Sequence, residues 1–248
     1  MGIKSTLFKP VAKIASGSLR KWRKTAVADQ QKILQQLVSK AKDTAFGKDH
    51  NFKAIRNYND FKQHVPIRDY EAARTYFDRV VQAEQDVLWP GLPAYFAKTS
   101  GTTSGTKYIP ITKDSIPNHF GSARDMTFQY IAQSGKADFF DGKMIFLSGS
   151  PELTTTNGIL TGRLSGISNH MIPGWVKSGQ MPSYPTNCIE DWEIKVEKIV
   201  DETRQQDMRL ISGIPPWVQM YFERLLDRTG KKTVLEVFPN FSMFIYGG

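Results

Sequence analysis

From residue 143 onward, short apolar runs alternate with segments of helical period, and this alternation leaves the chain few architectures. "KMIFLSG" reads as a buried strand and "MRLIS" as a second. Between them Trp192, Val196, Ile199 and Val200 mark one face of a helix that opens among acidic residues, where the helix dipole favours them. Pro215 and Pro216 stand where a helix can begin, and residues 217–226 are apolar nearly all round, which predicts burial. "LEVF" and "FSMFIY" read as further strands, separated by Pro239 and Asn240. Such alternation predicts an α/β fold, a largely parallel sheet flanked by helices.

Upstream the pattern is helical. Ile33, Leu34, Leu37, Val38 and Ala41 recur at helical spacing and predict an amphipathic helix over 28–46, with Gly47 as its stop. Short helical pieces follow, such as "RDYEAARTYFDRVVQ", until "WPGLP" breaks the chain at 89–93. "AYFAK" and "YIPIT" read as strands, and 114–133 reads as a helix with Ile116, Phe120, Ala123 and Ile131 among its apolar positions. Residues 1–90 are therefore expected to form a mainly helical segment and 91–248 an α/β portion. The chain stops just after "FSMFIY", and a domain seldom ends on an apolar strand whose edge needs covering, so this portion is expected to continue past Gly248.

Several classes are disfavoured. A lone cysteine, Cys188, permits no intrachain disulfide and suits a reducing, cytoplasmic location. No apolar stretch approaches the roughly 18 residues that span a bilayer, and the N-terminus lacks the apolar core of a signal peptide, so stable membrane insertion is not expected. Of the formal charge of +9, residues 1–45 carry +8 and the other 203 carry +1. This basic leader suits anionic lipid, nucleic acid or a solvated helical face. "RKWRK" offers one aromatic among four cations, too little for base stacking, and no nucleic-acid partner is expected. "MGIKST" fits the N-myristoylation pattern, which matters only in a eukaryotic host.

The chemistry concentrates in "KTSGTTSGTKYIPIT", residues 98–112, where Thr99 to Thr106 hold six hydroxyls and two glycines before Lys107. Glycine lets backbone N–H groups approach an anion, hydroxyls add neutral donors, and the lysine adds a point charge. A Walker loop needs four residues between its glycines and a helix after its lysine, whereas Gly101 and Gly105 enclose three and Pro110 follows. A dinucleotide fingerprint needs a different glycine spacing before a helix. The stretch therefore reads as a phosphate cradle joining two strands.

"TSGTTSGTK" resembles the phosphate-binding signature of the adenylate-forming superfamily. With "SGSPELTTTNGILTGRLSG", "SGIPPWVQMYFERLLDRTGK", "VFPNFSMFIYGG", "FGKDHNF" and "YNDFKQHVPIRDYE", the chain resembles the Gretchen Hagen family of acyl-acid amido synthetases over most of its length. The resemblance implies a helical leader followed by part of the large N-terminal domain of an adenylate-forming enzyme. It implies a two-step ligase that uses ATP and Mg2+, activates a carboxylic acid as its adenylate and passes the acyl group to an amine such as an amino acid. Thr99, Ser100, Gly101, Thr102, Thr103, Ser104 and Gly105 would hold the polyphosphate, Lys107 would offset its charge, and Gly247 and Gly248 would lie against the adenine. The family's other nucleotide motifs, its acidic group near the metal and its small C-terminal domain are expected beyond Gly248, and the catalytic residues with them. Residues 1–248 alone are expected not to catalyse. A non-catalytic nucleotide- or anion-binding module is the alternative reading of the same loop, and a protein working through its basic leader is a third.

Other candidates are weaker. Cys188 has no histidine near it in sequence, His50, His64, His119 and His170 are scattered, and no spacing suits zinc. "PELTTTNG" reads as a surface turn. Pro215, Pro216 and Trp217 fit either a helix start beside an acyl pocket or a simple buried indole.

Overall fold

The computed structural model describes residues 2–99 and 105–246. Its first helices are α1 (Ile3–Leu19), α2 (Trp22–Ala41), α3 (Ala45–Asp49), α4 (Tyr58–His64), α5 (Arg74–Val81) and α6 (Ile116–Ser134). They are followed by α7 (Leu164–His170), α8 (Gly174–Lys177), α9 (Tyr184–Asn187), α10 (Trp192–Thr203), α11 (Pro215–Thr229) and α12 (Val234–Val237). The strands are β1 (Tyr95–Thr99), β2 (Lys107–Ile111), β3 (Lys143–Phe146), β4 (Thr154–Thr156), β5 (Ile159–Gly162), β6 (Gln180–Met181), β7 (Met208–Ser212) and β8 (Met243–Ile245). Two compact units interleave along the chain: Met1–Ser16, Met126–Glu152 and Arg163–Gly248 form one, Gly17–Asp125 and Leu153–Gly162 the other.

The first unit holds the parallel sheet that the alternation predicts, in the order β6-β3-β7-β8 with every pairing parallel. Val196, Ile199 and Val200 of α10 and Val218, Tyr221 and Leu225 of α11 pack with Ile145, Leu147 and Ile211 of the sheet region. Ala12, Ile131, Phe139 and Phe140 cluster with Met144 and Leu210. Asp191 caps α10 by accepting from the Ile194 amide. Helix α11 is not apolar all round: Val218, Tyr221 and Leu225 are buried, while Arg224 and Arg228 face water and pair with Glu193, Glu197 and Asp201 of α10. The Tyr221 hydroxyl is 2.8 Å from Thr203 Oγ1, and burial raises its pKa.

"LEVF" is a helical turn, α12, rather than a strand. Thr233 Oγ1 accepts from the Glu236 amide, and Glu236 reaches back to the Lys232 amide, so a Thr-x-x-Glu cap outweighs a four-residue apolar run. At the start of the chain, Asp141 caps α1 by accepting from the amides of Gly2 (2.8 Å) and Ser5 (3.0 Å). A Cβ at Gly2 would stand 2.3 Å from the Asp141 carboxyl carbon, so a larger residue there would displace this cap.

The second unit carries a mixed sheet, β2-β1-β5-β4, in which β1 runs parallel to β5 and both outer pairs are antiparallel. Pro110 is tolerated because β2 is an edge strand. "PELTTTNG" is strand as well as turn: Thr154–Thr156 pair with β5 through a two-residue connection. Asn157 and Gly158 have φ of 48° and 81°, the conformation that Asn-Gly hairpin turns demand. Helix α2 starts earlier and ends earlier than its apolar pattern predicts, burying Val38 and Ala41 and leaving Ile33 and Leu37 exposed. Gly47 is no stop; it lies inside α3, and a Cβ there would stand 2.0 Å from the Ala41 carbonyl oxygen.

Candidate functional site

The glycine- and hydroxyl-rich stretch is flanked by the two strands of an antiparallel pair. Strands β1 and β2 pair in register from Tyr95 opposite Ile111 to Thr99 opposite Lys107, so the last pair closes the mouth of the connecting loop. Residues 100–104, which include Ser100, Gly101, Thr102, Thr103 and Ser104, lie outside the described residues, as do Gly247 and Gly248. The hairpin is anchored from below by Phe96, fully buried against Val80, Val87 and Ile159, with Tyr108 edge-on to it at 5.9 Å.

Around the mouth, Thr99 is exposed and Gly105 takes φ +83° with open space where a side chain would project. That positive φ suits glycine. Lys107 is half-buried, and its ammonium stands 4.9 Å from the centre of the Tyr70 ring, which stacks on Phe77. The cation is thus held at the strand end rather than left to swing. Directly opposed residues of an antiparallel pair share a face, so Lys107 shares one with Thr99 and Lys98 takes the other. Lys98 Nζ donates to Thr154 Oγ1 of β4 at 3.4 Å. Strand parity could have shown that the two lysines flank the mouth on opposite faces. This set, the Thr99 hydroxyl and the Lys107 cation on one face with Gly105 at positive φ beside them, fits the charge and hydrogen-bonding demands of a polyphosphate. It supplies no carboxylate for a divalent cation, and among the described residues no three His, Cys, Asp or Glu side chains converge as metal ligands.

In the other unit, the carboxyl ends of β3, β7 and β8 lead to Leu147, Gly213 and Tyr246, the end of a parallel sheet where ligands commonly bind. Gly213 is required by packing, since a Cβ would meet that of Leu147 at 2.9 Å. Pro215 and Pro216 open α11 as expected, and Trp217 stacks on Trp192 at 4.5 Å. Trp192 Nε1 donates to Met220 Sδ at 2.7 Å, so this indole pair joins α10 to α11.

Lys195 was not foreseen as a buried group, because a lysine in an amphipathic helix reads as solvated. It is 2% exposed, and its Nζ donates to the carbonyls of Ser148 (2.9 Å) and Asn187 (2.6 Å), tying the end of β3 to α9. Burial lowers its pKa against the opposing pull of Glu190 and Cys188. A groove of about 550 Å³ is lined by Ser183, Thr186, Lys198, Asp201 and Glu202 among others. Burial raises the Glu202 pKa, but hydrogen bonds from Ser183 and Thr186 outweigh it and leave the pKa low. That carboxylate is occupied in holding α9. His170 Nε2 lies 2.7 Å from the Pro151 carbonyl and His50 Nδ1 lies 2.8 Å from that of Phe46, contacts that tie backbone rather than form a catalytic pair.

Residues 15–193 match the GH3 family N-terminal domain. This chain belongs to the GH3 family. The indole-3-acetic acid-amido synthetase GH3.15 of Arabidopsis thaliana is 23% identical to the GH3 chain over 193 residues, 75% of this chain and 30% of that protein. The solved structure of AtGH3.15 acyl acid amido synthetase in complex with 2,4-DB shares its fold, with a TM-score of 0.71 at 16% identity over 88% of this chain and 38% of that one. A further structure of GH3.15 acyl acid amido synthetase gives 0.62 at 16% identity, over 80% and 35%. The GH3 chain thus spans 30% to 38% of the length of these relatives. Its α/β architecture is that of the N-terminal part of the acyl acid amido synthetase fold. No described helix is long and apolar enough to cross a membrane.

Proposed function

We propose that the chain forms the nucleotide-binding N-terminal part of an ATP-dependent acyl-acid ligase. In this reaction a carboxylate attacks the α-phosphate of Mg-ATP, releasing pyrophosphate and leaving an acyl-adenylate, and an amine such as an amino acid then displaces AMP to leave an amide. The supporting observation is the β1–β2 hairpin, which carries the glycine- and hydroxyl-rich loop with Lys107 fixed at its mouth. In this reading Thr99, Gly105 and the residues between them donate to the polyphosphate, each charge-assisted bond contributing about 1.5–3 kcal/mol. Lys107 offsets charge on the phosphates, and Gly247 and Gly248 lie against the adenine. Residues 91–248 form the nucleotide-binding portion. Phosphate-centred substitution is mainly positioning and charge stabilisation, which this loop provides without a nucleophile of its own. Mg2+ would be held in part by the phosphate oxygens.

The full-length protein with ATP, Mg2+ and a panel of carboxylic acids is expected to exchange pyrophosphate into ATP only when an acid is present. Lys107→Ala should raise the KM for ATP by about tenfold or more, the loss of roughly one charge-assisted contact. Unchanged kinetics in that variant would remove Lys107 from the site. ATP binding with no acid-dependent exchange for any acid would favour a non-catalytic nucleotide-binding module.

A further inference from the structure

Helix α1 is anchored on one side and bare on the other. Ser5, Ala12 and Ser16 are buried, the Phe8 ring lies 4.7 Å from Phe140 and 6.4 Å from Phe128, and Asp141 holds the first turn. A second stripe faces water: Ile3, Leu7, Val11 and Ile14 are 81%, 63%, 48% and 78% exposed. At about 100° per residue these four positions cover roughly 80° of the helix, centred roughly 145° from the buried face. An aliphatic row is thus presented outward by a helix already fixed to the protein.

The charged residues of α1 itself, Lys4, Lys9 and Lys13, are all cationic. We propose that α1 is an interfacial helix that docks the protein on an anionic phospholipid surface, its aliphatic stripe at the acyl boundary and its lysines among the headgroups. An outward apolar row on a helix whose own charges are all cationic is the pattern that such a surface rewards, the apolar area and the charge adding to one another. A second copy fits worse, because a two-fold contact would bring the same cations together. Nucleic acid fits worse too, since an aliphatic row offers neither stacking nor hydrogen bonds. The inference is independent of the ligase reading.

The test is co-sedimentation of the intact protein with vesicles of phosphatidylcholine alone or containing about 30% phosphatidylglycerol. Binding is expected to be about tenfold or more tighter to the anionic vesicles and to weaken as salt is raised. The double variant Leu7→Glu/Ile14→Glu, altered only at exposed positions, should keep its circular dichroism and melting temperature yet lose binding. Lys4→Glu/Lys13→Glu should abolish the preference for anionic vesicles with the stripe intact. No sedimentation with either vesicle, or binding unchanged in the stripe variant, overturns the proposal. So would a lipid-free dimer that Leu7→Glu/Ile14→Glu dissociates, since the stripe would then belong to a second copy.

Discussion

Replacing Lys195 by methionine removes the ammonium while keeping an unbranched stem in the space between α10 and the end of β3. Two carbonyls, the part-buried one of Ser148 and the buried one of Asn187, lose their donor. Each lost partner costs about 1–3 kcal/mol, while relief of the buried charge returns part of that sum. A net loss of about 1–3 kcal/mol near pH 7 is expected. The pH dependence separates this account from simple loss of packing. Burial lowers the folded-state pKa of Lys195, whereas the unfolded chain keeps its proton up to about pH 10.4. Between those two values the unfolded state binds more protons, so the stability of the natural chain rises with pH in that window and is flat below it. The neutral amine still donates to both carbonyls, so the gap between the natural chain and Lys195→Met should widen toward alkaline pH. Urea denaturation followed by tryptophan fluorescence, repeated across that range, measures the gap. A variant as stable as the natural chain, or a gap that narrows as pH rises, would refute the reasoning.

Gly47→Ala should destabilise by about 1–3 kcal/mol or more, because its Cβ would meet backbone atoms of Ala41 that cannot swing aside; an unchanged urea midpoint would contradict the packing account. Asp141→Ala should cost about 0.5–2 kcal/mol, the range for a lost helix cap, and speed tryptic cleavage at Lys4 and Lys13. Burial raises the Asp141 pKa, but hydrogen bonds from Ser5 and Gly2 outweigh it and leave the pKa low. Its stabilising contribution is therefore present above the unfolded value of about 3.9 and lost as pH falls through the folded one. The Asp141→Ala deficit should fade in acid, and a deficit constant down to pH values below both would show that the carboxylate charge plays no part.

The sequence by itself determined the elements whose signals are local. Apolar runs bounded by turns placed β1, β2, β3, β7 and β8, helical spacing placed α6, α10 and α11, and Pro110 ruled out a helix after Lys107. Locally legible signals were also misread, since Asn157-Gly158 announces a hairpin and Thr233-x-x-Glu236 a helix cap. Tertiary structure alone decided which residues meet across the chain. That Gly213 is a close-approach glycine depends on Leu147, 66 positions earlier, lying against it, and nothing within its own segment encodes that distance. Lys195 is buried because two carbonyls from separate segments converge on it, and Lys107 is held because Tyr70, 37 positions earlier, presents its ring. Local propensity fixes conformation over a few residues. Burial and hydrogen-bond partners are set by packing between segments remote in sequence, and only the folded chain brings those together.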